Sequence, residues 1–244
     1  MMVKVAIKRE QSQAYLSSAE REQAQRESSF LVKVCGMRDA ENICEVEALG
    51  IDLMGFIFWP KSGRYVSERP AYLPTNCKRV GVFVDEDIKT VKRIAEDYAL
   101  DYIQLHGHEL ADYCAQLRGF KLIKAFNIAT TEDFKQTEPY TGIVDYFLFD
   151  TRKPPREVGG WLPPGGTGEK FDWSVLSAYD DNTPFLLSGG IGPDDAEVLT
   201  SHFSPLTSKK CVGIDLNSRF EIAPGLKDIN KLKDFLNALN NEQD

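Results

Sequence analysis

Eight short apolar segments alternate with longer segments of mixed polarity along most of this chain. Each is rich in β-branched and aromatic residues, a composition typical of buried β-strands. The predicted strands are 30–35, 53–58, 78–84, 102–106, 121–126, 146–150, 185–190 and 211–216. Successive strands begin 19 to 26 residues apart, except for a step of 39 residues between the sixth and the seventh. Spacing this regular leaves room for one helix after most strands and indicates parallel strands joined by crossover helices.

Several connecting segments carry helix signals. Asp39 can cap a helix that ends before Gly50, and Pro193 stands where a first helical turn would begin. Two other segments repeat apolar residues at helical spacing. The predicted helices are 39–49, 86–98, 109–117, 193–202 and 229–239.

Repeated strand–helix units can close into a barrel or spread into an open doubly wound sheet. Eight units at a nearly constant step favour closure, and no GxGxxG motif follows the first strand. The sequence therefore predicts an α/β fold, a single-domain (β/α)8 TIM barrel over residues 30–244. Residues 1–29 are mostly polar without a sustained apolar period, so we expect an N-terminal extension, helical or disordered, that the chemistry does not need.

The overall charge excludes some classes of partner. The 244 residues include 29 Lys and Arg against 37 Asp and Glu, a net charge of −8 at pH 7. So acidic a chain is a poor candidate for non-specific binding to nucleic acid or to anionic membranes, although a local basic pocket for a small anion is compatible with it. No apolar stretch approaches the roughly 18 residues of a membrane span, and no signal peptide is expected.

The cysteines and histidines favour a reducing compartment and no metal. Five cysteines without a CxxC motif indicate free thiols, so we expect a cytoplasmic protein. His106 and His108 form an HxH pair, but no third ligand is evident. We therefore expect His106 to be a hydrogen-bonded barrel residue and His108 a surface residue, with no metal or other cofactor.

Polar residues stand near the carboxyl ends of the predicted strands, where such a barrel builds its active site. They are Cys35, Arg64, Asp85, Gln104, His106, Asn127, Asp150, Ser188, Gly189, Gly190, Asp215 and Asn217. A cysteine at a buried strand end is more often a small apolar filler than a base. The carboxylate of Asp150, which ends an apolar strand, is functional, caps a helix or forms a salt bridge with Lys or Arg. Gly189 and Gly190 favour a phosphate site, which loops after strands seven and eight commonly form in this fold.

Several motifs in order resemble the phosphoribosylanthranilate isomerase family of tryptophan biosynthesis. The resemblance runs from about Val32 to the C-terminus. The motifs are KVCGMRD (33–39), GFIFWPKSGRYV (55–66), VGVFVDE (80–86), IQLHGHE (103–109), the strand end at Asp150, GGTGEKFDW (165–173), LSGGI (187–191), GIDLNSRFE (213–221) and PGLKD (224–228). Together they are far more specific than any one of them.

The resemblance implies a reaction and a set of site residues. The substrate is N-(5-phosphoribosyl)anthranilate, and the product of its Amadori rearrangement is 1-(2-carboxyphenylamino)-1-deoxyribulose 5-phosphate. By resemblance, Cys35 is the general base and Asp150 the general acid, while Arg64 meets the anthranilate carboxylate. The implied substrate-binding residues are Arg64, Gln104, His106, Gly189, Gly190, Asp215, Asn217 and Ser218. A monomer and a homodimer are both left open.

Two stretches depart from the family pattern. After the eighth strand the family usually has small residues and a glycine, roughly SSGVE, where this chain has NSRFE over 217–221. Without that glycine the backbone cradle for phosphate is in doubt, and Arg219 either contacts the phosphate directly or points to solvent. The loop after the sixth strand looks longer than usual around 154–164, and we expect a lid over 152–168 that orders on binding.

Rival readings need different chemistry. A histidine-pathway aldose isomerase would have Asp in place of Cys35, and indole-glycerol-phosphate synthase would use Lys and Glu, for which Lys33 and Lys124 stand in suitable positions. A metal-dependent epimerase would need more ligands than the HxH pair. A non-catalytic barrel that binds a phosphorylated ligand is the alternative from another class, and the presence of both Cys35 and Asp150 argues against it.

Overall fold

The computed structural model of the protein describes residues 30–151, 173–202 and 210–241. Eight parallel strands form a closed barrel in which each strand pairs with the next and the eighth pairs with the first. They are β1 Leu31–Cys35, β2 Leu53–Ile57, β3 Lys78–Phe83, β4 Tyr102–Leu105, β5 Lys121–Ile128, β6 Tyr146–Thr151, β7 Phe185–Ser188 and β8 Cys211–Leu216. The predicted TIM barrel is confirmed, whereas the predicted extension and lid lie outside the described residues.

Five α-helices occur in the described ranges. They are α1 Ala40–Glu47, α2 Ile88–Asp97, α3 Ala111–Ala115, α4 Ala196–His202 and α5 Ile229–Asn241. Asp39 caps α1 as expected, since its carboxylate accepts a hydrogen bond from the backbone N–H of Asn42. Helix α3 is shorter than predicted because the backbone of Leu110 is extended, with φ −74° and ψ 163°, so the helix begins only at Ala111.

The strand–helix alternation is less regular than the spacing suggested. The described chain between β2 and β3 contains no helix, and its prolines at 60, 70 and 74 explain why. Single 3₁₀ helices occupy Thr131–Tyr140, Trp173–Ala178, Pro193–Asp195 and Ser218–Phe220. After β8 a short antiparallel hairpin forms from β9 Glu221–Ala223 and β10 Leu226–Lys227, which the sequence did not predict.

Side-chain alternation along the strands separates an apolar core from a polar mouth. One buried cluster lines the barrel: Leu53, Val80, Tyr102, Ile123, Ala125, Leu148 and Leu186. Alternate residues of a strand face the same side, so Gln104, Asp150 and Ser188, each two residues after a member of this cluster, also face inward. They lie closer to the carboxyl ends of their strands than that core does.

No helix in the described ranges is long and apolar enough to cross a bilayer.

Candidate active site

Cys35 is the last residue of β1, and its side chain points to the barrel interior on the same side as Lys33. Only 3% of the residue is exposed. Two glycines make room for this arrangement. A Cβ atom on Gly55 would lie 2.6 Å from the Cys35 sulfur, and one on Gly36, whose φ is +80°, would lie 2.6 Å from the Cδ atom of Arg64. The approach of these side chains to the backbone therefore requires glycine at both positions.

A chain of polar contacts crosses the barrel interior from β1 through β8 to β7. Lys33 Nζ donates to Oδ1 of Asp215 over 2.7 Å, and Ser188 Oγ donates to Oδ2 of the same carboxylate over 3.3 Å. Ser188 is in register with Asp150 on β6. Cys35 and Asp150 therefore both face inward at the carboxyl end of the barrel, and these polar contacts lie between their strands.

A second network joins the β2–β3 connection to the hairpin after β8. Arg64 Nε donates to Oε1 of Glu221 over 2.8 Å and its Nη2 donates to Oε2 over 2.6 Å, a bidentate pair. Lys227 Nζ donates to the same carboxylate over 2.7 Å and to Oδ1 of Asn217 over 2.8 Å. Two cations thus share one anion, and the Nη1 group of Arg64 is left outside the pair.

Burial and charge act on these groups in opposite directions. Burial raises the pKa of the Cys35 thiol, and the ammonium groups of Lys33 and Lys227 offset only part of that rise. Burial is the largest influence on the pKa of Lys33 and would lower it, but the interactions with Asp215 and Cys35 together outweigh burial and the pKa is raised. For Lys227 burial outweighs the attraction to Glu221, so its pKa is lowered. Burial would raise the pKa of Glu221, but its interactions with Arg64 and Lys227 outweigh burial. The pKa is lowered, so this carboxyl group stays ionised to a lower pH than an ordinary one.

The sixth strand meets a polar pair from the fourth. Gln104 and His106 are two residues apart, and their Nε2 and Nδ1 atoms lie 3.3 Å from each other. The amide can only donate in this contact, so the neutral imidazole carries its proton on Nε2. That Nε2 atom lies 3.7 Å from Oδ2 of Asp150. It is buried without a hydrogen-bond partner in the described part of the chain, as is Oε1 of Gln104, so both atoms have capacity for a polar ligand.

The loops after β7 and β8 approach each other on the same rim of the barrel. Gly189 and Gly190 both have positive φ, +91° and +71°, a conformation that favours glycine. Ser218 opens the 3₁₀ turn after β8. The guanidinium of Arg219 lies against the loop after β7, since a Cβ atom on Gly192 would be 3.2 Å from its Nε. Arg219 is thus directed to the predicted phosphate loop.

Other candidates have structural partners. His108 is exposed and its Nδ1 lies 3.1 Å from Oδ2 of Asp85, so the two histidines of the HxH pair diverge as expected. The two lysines that an indole-glycerol-phosphate synthase could use are both paired. Lys124 is buried and donates to Glu109 over 3.0 Å, and Lys33 donates to Asp215. Within the described ranges no three His, Cys, Asp or Glu side chains are grouped as a metal site requires.

The sequence reasoning missed two residues of the site, Glu221 and Lys227. Both stand in segments that carried the family resemblance, GIDLNSRFE and PGLKD. Nothing in the sequence indicates that Lys227 is buried, because a lysine is usually exposed. In the structure this residue is 1% exposed.

Known proteins resemble this chain over nearly all of its barrel. Residues 32–238 match the model of a family described as N-(5'phosphoribosyl)anthranilate (PRA) isomerase. A protein of Parabacteroides distasonis named N-(5'-phosphoribosyl)anthranilate isomerase is 49% identical, over 86% of this chain and 93% of its own length. The protein of the same name from Phocaeicola vulgatus is 45% identical, over 86% of this chain and 98% of its own length.

Solved structures agree with this relationship. The phosphoribosyl anthranilate isomerase of Thermotoga maritima matches with a TM-score of 0.69 and 28% identity, over 86% of this chain and 98% of that chain. A phosphoribosyl anthranilate isomerase in complex with reduced 1-(o-carboxyphenylamino)-1-deoxyribulose 5-phosphate matches with a TM-score of 0.67 and 26% identity, over the same shares. With its barrel, its strand-end thiol and carboxyl groups and these relatives, the chain belongs to the N-(5'-phosphoribosyl)anthranilate isomerase family.

Proposed function

We propose that the protein converts N-(5'-phosphoribosyl)anthranilate into 1-(2-carboxyphenylamino)-1-deoxyribulose 5-phosphate, a step of tryptophan biosynthesis. The observation that carries the proposal is the placement of Cys35 and Asp150, both buried and both directed into the carboxyl end of the barrel from β1 and β6. One thiol and one carboxyl group at the same mouth supply the base and the acid that this rearrangement needs.

Asp150 acts first, as the general acid. The ring oxygen leaves C1 only if it receives a proton as the bond breaks, so the carboxyl group must hold a proton when the substrate binds. The C1–O bond breaks, the oxygen becomes a hydroxyl group, and the electron pair of the anthranilate nitrogen forms an iminium at C1. Asp150 is left as a carboxylate.

Cys35 acts second, as the general base. The iminium acidifies the C2–H bond, and the thiolate removes that proton to give a neutral enolamine. The thiol then returns a proton to C1 while the Asp150 carboxylate accepts the proton of the C2 hydroxyl, which leaves a ketone. Both groups regain their starting states, and hydrogen is only redistributed within the substrate, so no external oxidant or reductant is consumed.

The two ends of the substrate are anionic, and the site offers a guanidinium to one and backbone N–H groups to the other. Glu221 fixes the guanidinium of Arg64 with Nη1 outside the pair, and we assign the anthranilate carboxylate to that group. We assign the phosphate to the loop with Gly189 and Gly190 and to the turn at Ser218. Both Gly189 and Gly190 have positive φ, which brings backbone N–H groups within reach of an anion.

The middle of the substrate lies among the remaining polar groups in this assignment. His106 Nε2 and the Gln104 carbonyl oxygen face the interior with unused capacity in the described part of the chain, and a sugar hydroxyl can pair with either. Asp215 and Asn217 already bind Lys33 and Lys227, so they order the cations around the sugar.

Turnover tests the proposal directly. Loss of substrate fluorescence is followed for the full chain and for Cys35→Ala and Asp150→Asn, with the exposed residues Cys44→Ala and Asp97→Asn as matched controls. Each active-site change is expected to lower kcat by a factor of about 100 or more, the usual contribution of a positioned acid or base, while circular dichroism stays native. Absence of turnover in the wild type would favour the non-catalytic phosphosugar-binding barrel, and near-normal turnover in either variant would refute its assigned role.

We also infer that the protein works in the cytoplasm. All five cysteines are free thiols, the state that a reducing compartment maintains. Fractionation of cells followed by immunodetection tests this location, and light scattering of the full chain distinguishes a monomer from a homodimer.

A further inference from the structure

Lys227 has no role in the chemistry described above, yet it is one of the most deeply buried cations of the barrel. Its side chain is 0% exposed, and its ammonium group lies 2.7 Å from Oε1 of Glu221 and 2.8 Å from Oδ1 of Asn217. Burying an ammonium group is costly unless it is paired. A pair with Glu221 alone would explain a structural role, but this carboxylate is already engaged.

The charges of the cluster do not balance. Lys33 and Asp215 form one pair of opposite charges. Glu221 must serve both Lys227 and Arg64, which it contacts over 2.7 Å and 2.6 Å. Three cations and two anions remain when the site holds no ligand, so the buried cluster has one positive charge in excess.

Cys35 lies beside this cluster. A Cβ atom on the next residue, Gly36, would be 2.6 Å from Cδ of Arg64 and 2.9 Å from Oδ1 of Asn217, the atom to which Lys227 donates. The charged groups that act on Cys35 come from three strands: Lys33 of its own strand, Asp215 of β8 and Lys227 of β10. Cys35 acts in turn on Arg64 of the β2–β3 connection, and the uncharged Gly55 of β2 packs against the sulfur. The charge of Asp215 opposes a thiolate, and it also largely cancels the charge of Lys33. Lys227 is therefore the cation near Cys35 whose positive charge a carboxylate neutralises only in part.

We propose that Lys227 is a positioning residue of the isomerisation: its ammonium group supplies the uncompensated positive charge that draws Cys35 toward the thiolate. The proposal rests on the proposed function for its catalytic consequence. The thiolate itself can be titrated without substrate, so the two can fail separately. Lys227 touches no reacting atom in this account and acts only through Cys35.

The ultraviolet absorbance of the thiolate against pH measures the effect. Subtracting the curve of the same protein with Cys35→Ala added, for the wild type and for each variant, removes the other four thiols and the tyrosines, and leaves the titration of Cys35. In Lys227→Met the midpoint should rise by about one pH unit, which lowers the thiolate fraction near neutral pH about tenfold. Lys227→Arg, which keeps the charge, should stay within about twofold of the wild type.

Glu221→Gln gives the sharper control because it should not act in the same direction. Removing the anion leaves the charge of Arg64 uncompensated even where the buried Lys227, whose pKa is already lowered, gives up its proton, so the midpoint should not rise. Damage to packing would move both variants the same way. Lys124→Met removes another buried lysine, one paired with Glu109, and should leave the titration unchanged.

Three results would overturn the proposal: no shift in Lys227→Met, shifts of the same sign in Lys227→Met and Glu221→Gln, or an equal shift in Lys124→Met. If Lys227→Met does not fold, a midpoint that rises in Glu221→Gln would overturn the proposal on its own. The ascending limb of kcat/KM against pH should shift with the titration. Should the wild type turn over no substrate while the titration shifts as stated, the proposed function fails and the electrostatic role of Lys227 stands.

Discussion

The pair of Lys33 and Asp215 inside the barrel should be among the most sensitive points for stability. The two side chains are 0% and 6% exposed, and their charged atoms lie 2.7 Å apart. At an effective dielectric constant of about 20, Coulomb's law gives an attraction of about 6 kcal/mol at this distance, offset by the cost of removing both charges from water. Asp215→Asn keeps the shape but leaves the Lys33 ammonium buried without a counter-charge. We expect a loss of about 3–5 kcal/mol in the free energy of unfolding.

Urea denaturation without ligand measures this loss, and two further variants test its cause. Lys33→Met/Asp215→Asn removes both charges and should recover most of the stability that Asp215→Asn loses. Lys78→Met breaks an ion pair whose lysine side chain is 65% exposed and should cost less than about 1 kcal/mol. The reasoning is refuted if Asp215→Asn costs no more than Lys78→Met, or if the double variant is no more stable than Asp215→Asn.

The same pair has a defined pH range. The pKa of Lys33 is raised in the folded state, above its ordinary value of 10.5. A raised pKa means that the folded state holds the proton more tightly, so its contribution is complete below the unfolded pKa and is lost as pH rises through the folded one. The difference in unfolding free energy between wild type and Lys33→Met should therefore be constant from neutral pH up to about 10 and decline above it.

Three further predictions follow from single contacts. Gly55→Ala would place a Cβ atom 2.6 Å from the Cys35 sulfur and 3.1 Å from its Cα, so kcat should fall by a factor of about 10 or more with a loss of about 1–3 kcal/mol in stability; an unchanged kcat would refute the contact. The pKa of Glu221 is lowered in the folded state, so the stability it gives is present above about pH 4.5 and is lost as pH falls through the folded pKa. In urea titrations, the difference in unfolding free energy between wild type and Glu221→Gln should therefore shrink below that pH. A difference independent of pH would contradict this. Arg219→Ala should raise KM and the inhibition constant of inorganic phosphate about tenfold, because a charged hydrogen bond is lost. Arg93→Ala, at an exposed position, is the control. An unaltered inhibition constant would mean that Arg219 points to solvent.

The strands and the positions of the proposed acid and base were predictable because their signals are local. A strand such as FLFDT shows its burial by consecutive apolar residues, and its last polar residue falls at the carboxyl end by chain direction alone. Cys35 and Asp150 could therefore be placed at one rim before any pairing was known. The family resemblance then supplied their roles, which spacing alone left open.

The ion network was not predictable because its contacts join distant parts of the chain. Arg64 and Glu221 are 157 positions apart, and Lys33 and Asp215 are 182 apart. Such pairs depend on which strands become neighbours when the barrel closes, and β1 meets β8 only in a closed barrel. The hairpin after β8 likewise has strands of three and two residues, too short for an alternation pattern to be read from sequence.

An acidic protein whose substrate carries two anionic groups needs its positive charge concentrated rather than abundant. The chain has a net charge of −8, yet the buried Lys33 and Lys227 and the half-buried Arg64 lie together beside Cys35 with only two carboxylates among them. In a low-dielectric interior a single excess charge acts more strongly than many solvated charges at the surface, which salt screens. In the mechanism we propose, the excess serves two successive needs: it favours the thiolate on which proton abstraction depends, and it then attracts the carboxylate of the incoming substrate to Arg64. Since binding of the substrate anion consumes the excess, we infer that the later iminium charge at C1 sustains the thiolate until it removes the C2 proton.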